Sequence, residues 1–398
     1  MENSLTKNRQ AIKNTITRNT MLLALVIVML FFQALIVLSG KGSLFAPANI
    51  SNLITQNAYV VVLASGMLLC ILTGGNIDLS VGSIVALVGA FAGTLIVNMG
   101  ANIYISILLC LILGALIGAW QGFWIAYIRI PPFIVTLAGM LLWRGVALIV
   151  LNGLTISPFP SNYLRYFTSF IPGSQNQDLV FAVTVAIGVV AILIYIVSQA
   201  AGRIAKQKKG YETGPVILFV LQLVIISVVV LFLFFLLAHN KGVPAVLIII
   251  AAIVLIYSYF TSNTVPGRYL YALGGNEKAA KMSGVNTNRM LFFAYTNMGF
   301  LSGVAALMCV ARFNSAAPSA GTNYELDAIA SCFIGGASAY GGTGTISGAV
   351  IGAIFMGVLN NGMSIMGIDS NWQRAVKGLV LLAAVVFDVV SKKRKKSG

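Results

Sequence analysis

Charge is scarce in this chain. Aspartate, glutamate, lysine and arginine make up 9% of it, against about a quarter in a soluble domain. That deficit excludes a water-soluble globular protein, and with it the usual division of length into soluble domains. Histidine is nearly absent. His239 stands alone at the end of an apolar segment with no carboxylate cluster nearby. A histidine-based catalytic or metal centre is thereby disfavoured, and an interfacial side chain is expected. Cys70, Cys110, Cys309 and Cys332 lie inside apolar runs and form no CxxC pair. They read as small core residues, not as a disulfide or metal set. No Ser-His-Asp, Cys-His or HExxH arrangement occurs, and no GxxxxGK[ST] loop is present to cradle phosphates. We therefore expect no enzymatic activity, no metal and no cofactor in this chain.

What is present is apolar. Hydrophobic residues make up 59% of the chain and the mean hydropathy is +0.94. The fold class expected is all-α, as a polytopic membrane protein embedded in lipid. Runs of membrane-crossing length fall at residues 21–38, 58–73, 81–97, 104–127, 133–151, 179–198, 215–237, 244–261, 291–311, 343–362 and 372–390, with a short one at 326–337. That is about twelve crossings. The first run lacks a small-residue cleavage pattern, so it reads as an uncleaved span.

The net charge of +16 could suggest a polyanion partner, but its placement argues against nucleic acid. Lys7, Arg9, Lys13 and Arg18 precede the first run. Arg203, Lys206, Lys208 and Lys209 fill one loop; Arg268, Lys278, Lys281 and Arg289 fill another; Lys392 to Lys396 form the tail. Basic clusters that flank spans mark cytoplasmic loops. The expected organisation is a basic cytoplasmic N-terminus (1–20), one transmembrane domain (21–391) and a basic cytoplasmic tail (392–398). Counting crossings places the tail inside only if the short 326–337 segment crosses, as a tilted, broken element. The loop 152–178 is then external, with Lys41 and Lys241.

Two glycine-rich stretches resemble each other: GGNIDLSVGSIVALVGA from Gly74 and GGASAYGGTGTISGAVIGA from Gly335. Each ends an apolar run on Gly-Gly and restarts a helix at a small-residue cluster. Glycine allows both a helix break at membrane depth and close helix packing, and duplicated broken helices are common in transporters. Asp78 lies in the first stretch. One reading has it or Ser80 cap the helix starting near Val81 and shape the loop; the other makes it a proton or cation site. Glu325 and Asp327 open the short crossing, where acids favour a helix N-terminus. Arg144, inside a span, could pair with an acid.

Between two spans lies ALGGNEKAAKMSG, Ala272 to Gly284. Asn276 can cap a short helix built from Glu277, Lys278, Ala279, Ala280 and Lys281, and Gly284 can stop it. Such a helix, about two turns long, is unstable alone. Either it fits a groove on another protein, or it is a solvated loop with stop-transfer charges.

E-K-A-A-x-x-x-G resembles the cytoplasmic EAA-type motif of ABC importer permeases. Five segments in order resemble, more specifically, the ribose/xylose/galactose-type permease family. They are GGNIDLSVGS, PPFIVTLAGMLLWRG, YALGGNEKAAKMSGVN, YELDAIASCFIGG and LNNGMSIMG. The resemblance implies a type II, vitamin-B12-importer-like fold and a homodimer of permeases. It also implies a tandem-cassette ATPase that binds ATP and magnesium, and an extracytoplasmic sugar-binding protein. Over residues 262–290 it implies a cytoplasmic coupling loop, with Gly274, Gly275, Asn276, Glu277, Ala279, Ala280, Ser283, Gly284 and Asn286 meeting the ATPase. The broken helices would shape the translocation path, with Asn76, Asp78, Ser80, Gly335, Gly336, Asn360 and Asn361 along it. Ribose-type members have about ten spans and lack an equivalent of the hairpin at 179–237, which the xylose and multiple-monosaccharide branch carries. The expected solute is thus xylose or another aldopentose or aldohexose, imported across a bacterial cytoplasmic membrane. A nucleoside or other small polar solute is the alternative, since permeases of that kind share the plan. An ion-coupled secondary carrier using Asp78 and a scaffold without transport are the rival classes.

Overall fold

The computed structural model describes residues 20–211 and 215–396. The basic segment expected over 1–20 lies outside them except for Thr20, as does the end of the tail, 397–398. The helices, in chain order, are α1 Thr20–Leu38, α2 Pro47–Leu72, α3 Val81–Gly93, α4 Ile103–Ala126, α5 Pro132–Leu151, α6 Ser161–Thr168, α7 Gln177–Lys208, α8 Val216–Ala238, α9 Ala245–Asn263, α10 Val265–Gly275, α11 Glu277–Met282, α12 Thr287–Phe313, α13 Tyr324–Ile334, α14 Ile346–Ile365 and α15 Ser370–Lys396. One π-helical turn, Thr94–Asn98, extends α3. Two short strands, β1 Phe170–Ile171 and β2 Val243–Pro244, pair antiparallel.

Ten of the described helices are long and apolar enough to cross a membrane: α1 to α5, α7 to α9, α12 and α14. The sequence leads us to expect about twelve. The other two are α13, with 11 residues, and α15, with 27 residues but with Arg374, Lys377 and Asp388 in its apolar stretch. Burial sorts the helices into centre and rim. Most of the apolar length of α2, α3 and α12 is buried, whereas α8 is buried only toward its end, at Phe234, Leu237 and Ala238. The α7–α8 hairpin is therefore peripheral.

Small residues bring the central helices together. Gly114, Gly118 and Gly122 run along one side of α4 against α12; a Cβ at Gly118 would stand 2.3 Å from the Tyr295 carbonyl oxygen. Between lipid-embedded helices, where burial from water drives little, such close packing supplies much of the attraction. The four cysteines are free and buried, as expected of small core residues. His239 ends α8, exposed, with its ring against Phe181 and Phe235.

Contacts between loops define two faces. On one, Lys41 Nζ reaches the Met366 carbonyl, Asn240 Nδ2 donates to Ser51 Oγ at 2.8 Å, and Ile156 pairs with Ala316. On the other, Glu277 meets Arg129, and the Ala339 N–H donates to Asp388 Oδ2 at 3.2 Å near the end of α15. The short crossing is completed by the loop before it. Ala316 lies beside Gly93 at the rim, whereas Gly321 lies against Gly82, about 16 Å lower along α3. From that depth α13 carries the chain to the second face. By length and composition α13 is not one of the ten candidate spans, so the expected crossing at 326–337 has only this short helix and the loop before it.

Asp327, near the start of α13, is buried. It accepts from Tyr59 OH at 2.9 Å and pairs with Lys377 Nζ of α15 at 2.9 Å. The sequence suggests helix initiation for this acid; the fold adds an ion pair that ties α13 to α15. Removing one partner of a buried pair strands the other charge, at about 3–5 kcal/mol. We expect Lys377→Met to lower the melting temperature in detergent, and the double variant Lys377→Met/Asp327→Asn to recover most of the loss. Equal melting of the single variant and the unaltered protein would contradict the assignment.

Candidate functional site

The second face is built around α11. Asn276 is extended, with φ −162° and ψ 101°, and its side-chain oxygen accepts the Ala279 N–H at 3.0 Å. This is the cap expected from the sequence. Six residues later the helix is over, about one and a half turns rather than two. Gly284 turns the chain with φ +83°, and the Val285 N–H closes back on the Ala280 carbonyl at 3.0 Å. The Ser283 hydroxyl donates to the Ala279 carbonyl at 3.0 Å. Asn286 then caps α12 by accepting the Arg289 N–H at 2.9 Å. Ala280 and Val285 are buried and seat the helix, while Lys278, Lys281 and Met282 face outward, Met282 at 83% exposure.

The base of α11 rests on both glycine-rich breaks. At Gly274 a Cβ would stand 1.9 Å from the Leu72 carbonyl oxygen and 2.4 Å from the Gly342 nitrogen. The Gly342 N–H donates to that same Leu72 carbonyl at 3.1 Å. A Cβ at Gly75 would strike the Ala339 carbonyl, and one at Gly341 would strike Gly74. Tyr271 OH donates to the Gly344 carbonyl at 2.9 Å. Three segments far apart in sequence, Leu72 to Gly75, Ala339 to Gly344 and Tyr271 to Gly275, thus meet backbone to backbone.

From this junction the first break climbs back into the helical layer. Ser80 lies beside Gly139 and Gln121. Gly139 is seven residues into α5, about 10 Å from its first turn. Asp78 Oδ1 accepts the Ser80 N–H at 2.8 Å and the Ser80 hydroxyl at 2.6 Å; Ser80 Oγ accepts Gln121 Nε2 at 2.7 Å. Capping of α3 by Asp78 or Ser80 does not occur, because α3 starts without a side-chain cap bond. Asp78 folds the loop instead: its acceptor faces Ser80, not the first free amides of α3. Asn76 bonds locally, its Nδ2 to Thr73 Oγ1 at 3.1 Å.

In the second break, Gly335 packs against α14, where its Cβ would stand 2.2 Å from the Gly348 carbonyl oxygen; Gly336, at φ +86°, is open to solvent. Asn361 and Asn49 exchange both side-chain amide bonds, at 2.9 and 3.0 Å, so Asn361 joins α14 to α2. Asn360 next to it is half-buried. The expected path residues therefore divide. Asn76 stands beside Glu277 on a cleft of about 160 Å³, Asp78 and Ser80 are buried in the α3–α5 layer, and Asn360 and Asn361 are near the C-terminal end of α14.

Arg129 is the residue that sequence reading overlooked. It lies between α4 and α5 in a left-handed conformation, φ +65°. Its Nη1 meets Glu277 Oε1 at 2.6 Å, and its Nη2 donates to Thr287 Oγ1 at 3.1 Å and to Asn288 Oδ1. The only hint in the sequence is a lone arginine before Ile-Pro-Pro in a short turn. Among the described residues no acid lies within ion-pair distance of Arg144; its Nη1 donates to the carbonyls of Pro318, at 3.1 Å, and Ala320.

The sequence is similar to that of known transport proteins. Residues 49–385 match the family model described as "Branched-chain amino acid transport system / permease component". The chain is 37% identical to the xylose transport system permease protein XylH of Escherichia coli K12, over 94% of this chain and 92% of that one. It is 36% identical to XylH of Haemophilus influenzae, over 94% and 96%. To the ribose import permease protein RbsC of E. coli K12 it is 34% identical over 89% of each chain. No solved structure matches. With the family model spanning most of its length, this chain belongs to the family of branched-chain amino acid transport system permease components.

Proposed function

We propose that this chain is the membrane subunit of an ATP-driven importer for a monosaccharide, xylose or another aldopentose or aldohexose. The observation that carries the reading is the seating of α11. A short, capped, outward-facing helix sits with its base on the backbone of both broken helices. The similarity to xylose and ribose permeases supplies the solute class.

In this reading the α11 face is cytoplasmic, since Lys278, Lys281 and Arg289 lie on it, and positive residues favour that side. An ATPase with two cassettes binds ATP and magnesium and grips α11 through its exposed residues. A second copy of this chain completes the central path, in a type II arrangement, and an extracytoplasmic binding protein delivers the sugar. Closing of the ATPase draws the two coupling helices together. Gly274 then pushes on Leu72 and Gly342, so both breaks shift at once. A change of access at the membrane's middle needs such a two-state element rather than a soft deformation.

Three variants test the seat and the helix. Gly274→Val sets a side chain against the Leu72 carbonyl, and we expect at least a tenfold loss of sugar uptake in proteoliposomes holding the full complex. Gly284→Pro forbids the positive φ that ends α11, and Glu277→Lys reverses its first charge; we expect each to reduce uptake and sugar-stimulated ATP hydrolysis while the spans still fold. Full uptake in Glu277→Lys and Gly284→Pro would refute the coupling role of α11. Ion-driven sugar uptake by the purified chain alone would instead support a secondary carrier.

A further inference from the structure

Arg129 lies just before α5, and Arg144 lies in its C-terminal half. Arg129, three residues before the helix, holds the first residue of α11 through Glu277 and the first turn of α12 through Thr287 and Asn288. Arg144 holds the carbonyls of Pro318 and Ala320 in the loop that dips from the outer rim. The two are 15 residues apart, about 22 Å if the whole stretch were helical. Between them, Gly139 lets the middle of α5 pack directly on Gln121 and Ser80.

Two features argue that this connection is more than adhesive. The Arg129–Glu277 pair is more than 40% exposed on both sides, and an ion pair in that setting contributes little to stability. Yet Arg129 occupies the left-handed region, which a non-glycine residue adopts only against resistance. Its fork is spread over two elements: one nitrogen for α11, the other for α12. A lysine, with one nitrogen, could not serve both in that planar geometry. At the other end, Arg144 grips backbone, so the outer loop follows α5 whatever its side chains are.

We propose that α5 is a push-rod: Arg129 takes up the displacement of α11 and Arg144 delivers it to the outer loop at Pro318–Ala320. This rests on the coupling role of α11 given above and adds a second route, independent of the glycine junction. The junction moves the breaks on the inner side, whereas α5 moves the outer rim. Arg129 and Arg144 are positioning residues, and neither has to touch the solute.

The test uses the complete complex of this chain with its ATPase and binding protein in proteoliposomes. Ser319 is exposed on the outer loop, and the four native cysteines are buried. A Ser319→Cys variant therefore reports the loop through its rate of alkylation by an impermeant maleimide, with and without ATP. We expect ATP to change that rate at least threefold. Arg129→Glu and Arg144→Met should each abolish the change, and the exchange Arg129→Glu/Glu277→Arg should restore at least half of it. Arg129→Lys, the milder change if Arg129→Glu folds poorly, should give an intermediate response. A purely structural role would alter melting without touching this nucleotide dependence. An undiminished ATP response in Arg129→Glu or in Arg144→Met overturns the push-rod while leaving the coupling role of α11 standing. No ATP response in the unaltered complex, together with no nucleotide-driven sugar uptake, overturns both.

Discussion

The architecture depends on a contact between main chains. Where Gly274 lies on Leu72 and Gly342, and Gly75 and Gly341 lie on Ala339 and Gly74, there is no room for a Cβ. Side chains flex and repack, but a backbone pressed on a backbone transmits displacement directly. Two breaks in the helical layer and the stem of an exposed helix are thereby packed together without intervening side chains. Backbone left unpaired inside a bilayer must be satisfied by protein or by a wet cavity. Here the Leu72 carbonyl, left over at the end of α2, accepts the Gly342 N–H, so the second break supplies what the first one lacks.

Local signals were legible in the sequence. Asn276 as a cap, Gly284 as a stop and the placement of most spans follow from rules that reach only three or four residues along the chain. Asp78 shows where such rules run out. An acid three residues before a helix fits a cap or a turn equally well on paper, and only the direction of its carboxylate, toward the Ser80 amide and hydroxyl, separates them. The contacts that join distant segments were not legible. Arg129 and Glu277 are 148 residues apart, and Asn49 and Asn361 are 312 apart. No periodicity in either neighbourhood signals the partner.

The short crossing illustrates a middle case. Counting basic loops requires a crossing near 326–337, but the apolar run there is too short to reach through the bilayer. The chain resolves this by letting an irregular loop do part of the work, with Gly321 lying on Gly82 and Arg144 satisfying two of its carbonyls. Irregular backbone at this depth is tolerated because protein surrounds it. Asp327 and Lys377 then neutralise each other where α13 meets α15.

The peripheral hairpin has unequal arms. Helix α7 has 32 residues and α8 has 23, a difference of about 13 Å in length. Helix α7 begins where α8 ends, with Gln177 bonding the carbonyls of Ala238 and Asn240. The surplus of α7 must therefore emerge on the opposite side or be absorbed by leaning. Arg203, Lys206 and Lys208 lie toward that end of α7, and Arg203 packs over the Phe219 ring near the start of α8. A thinner bilayer would push these charges farther into water, and a thicker one would draw them toward the acyl chains. Arms of unequal length would tie the tilt of the chain to the thickness of its membrane.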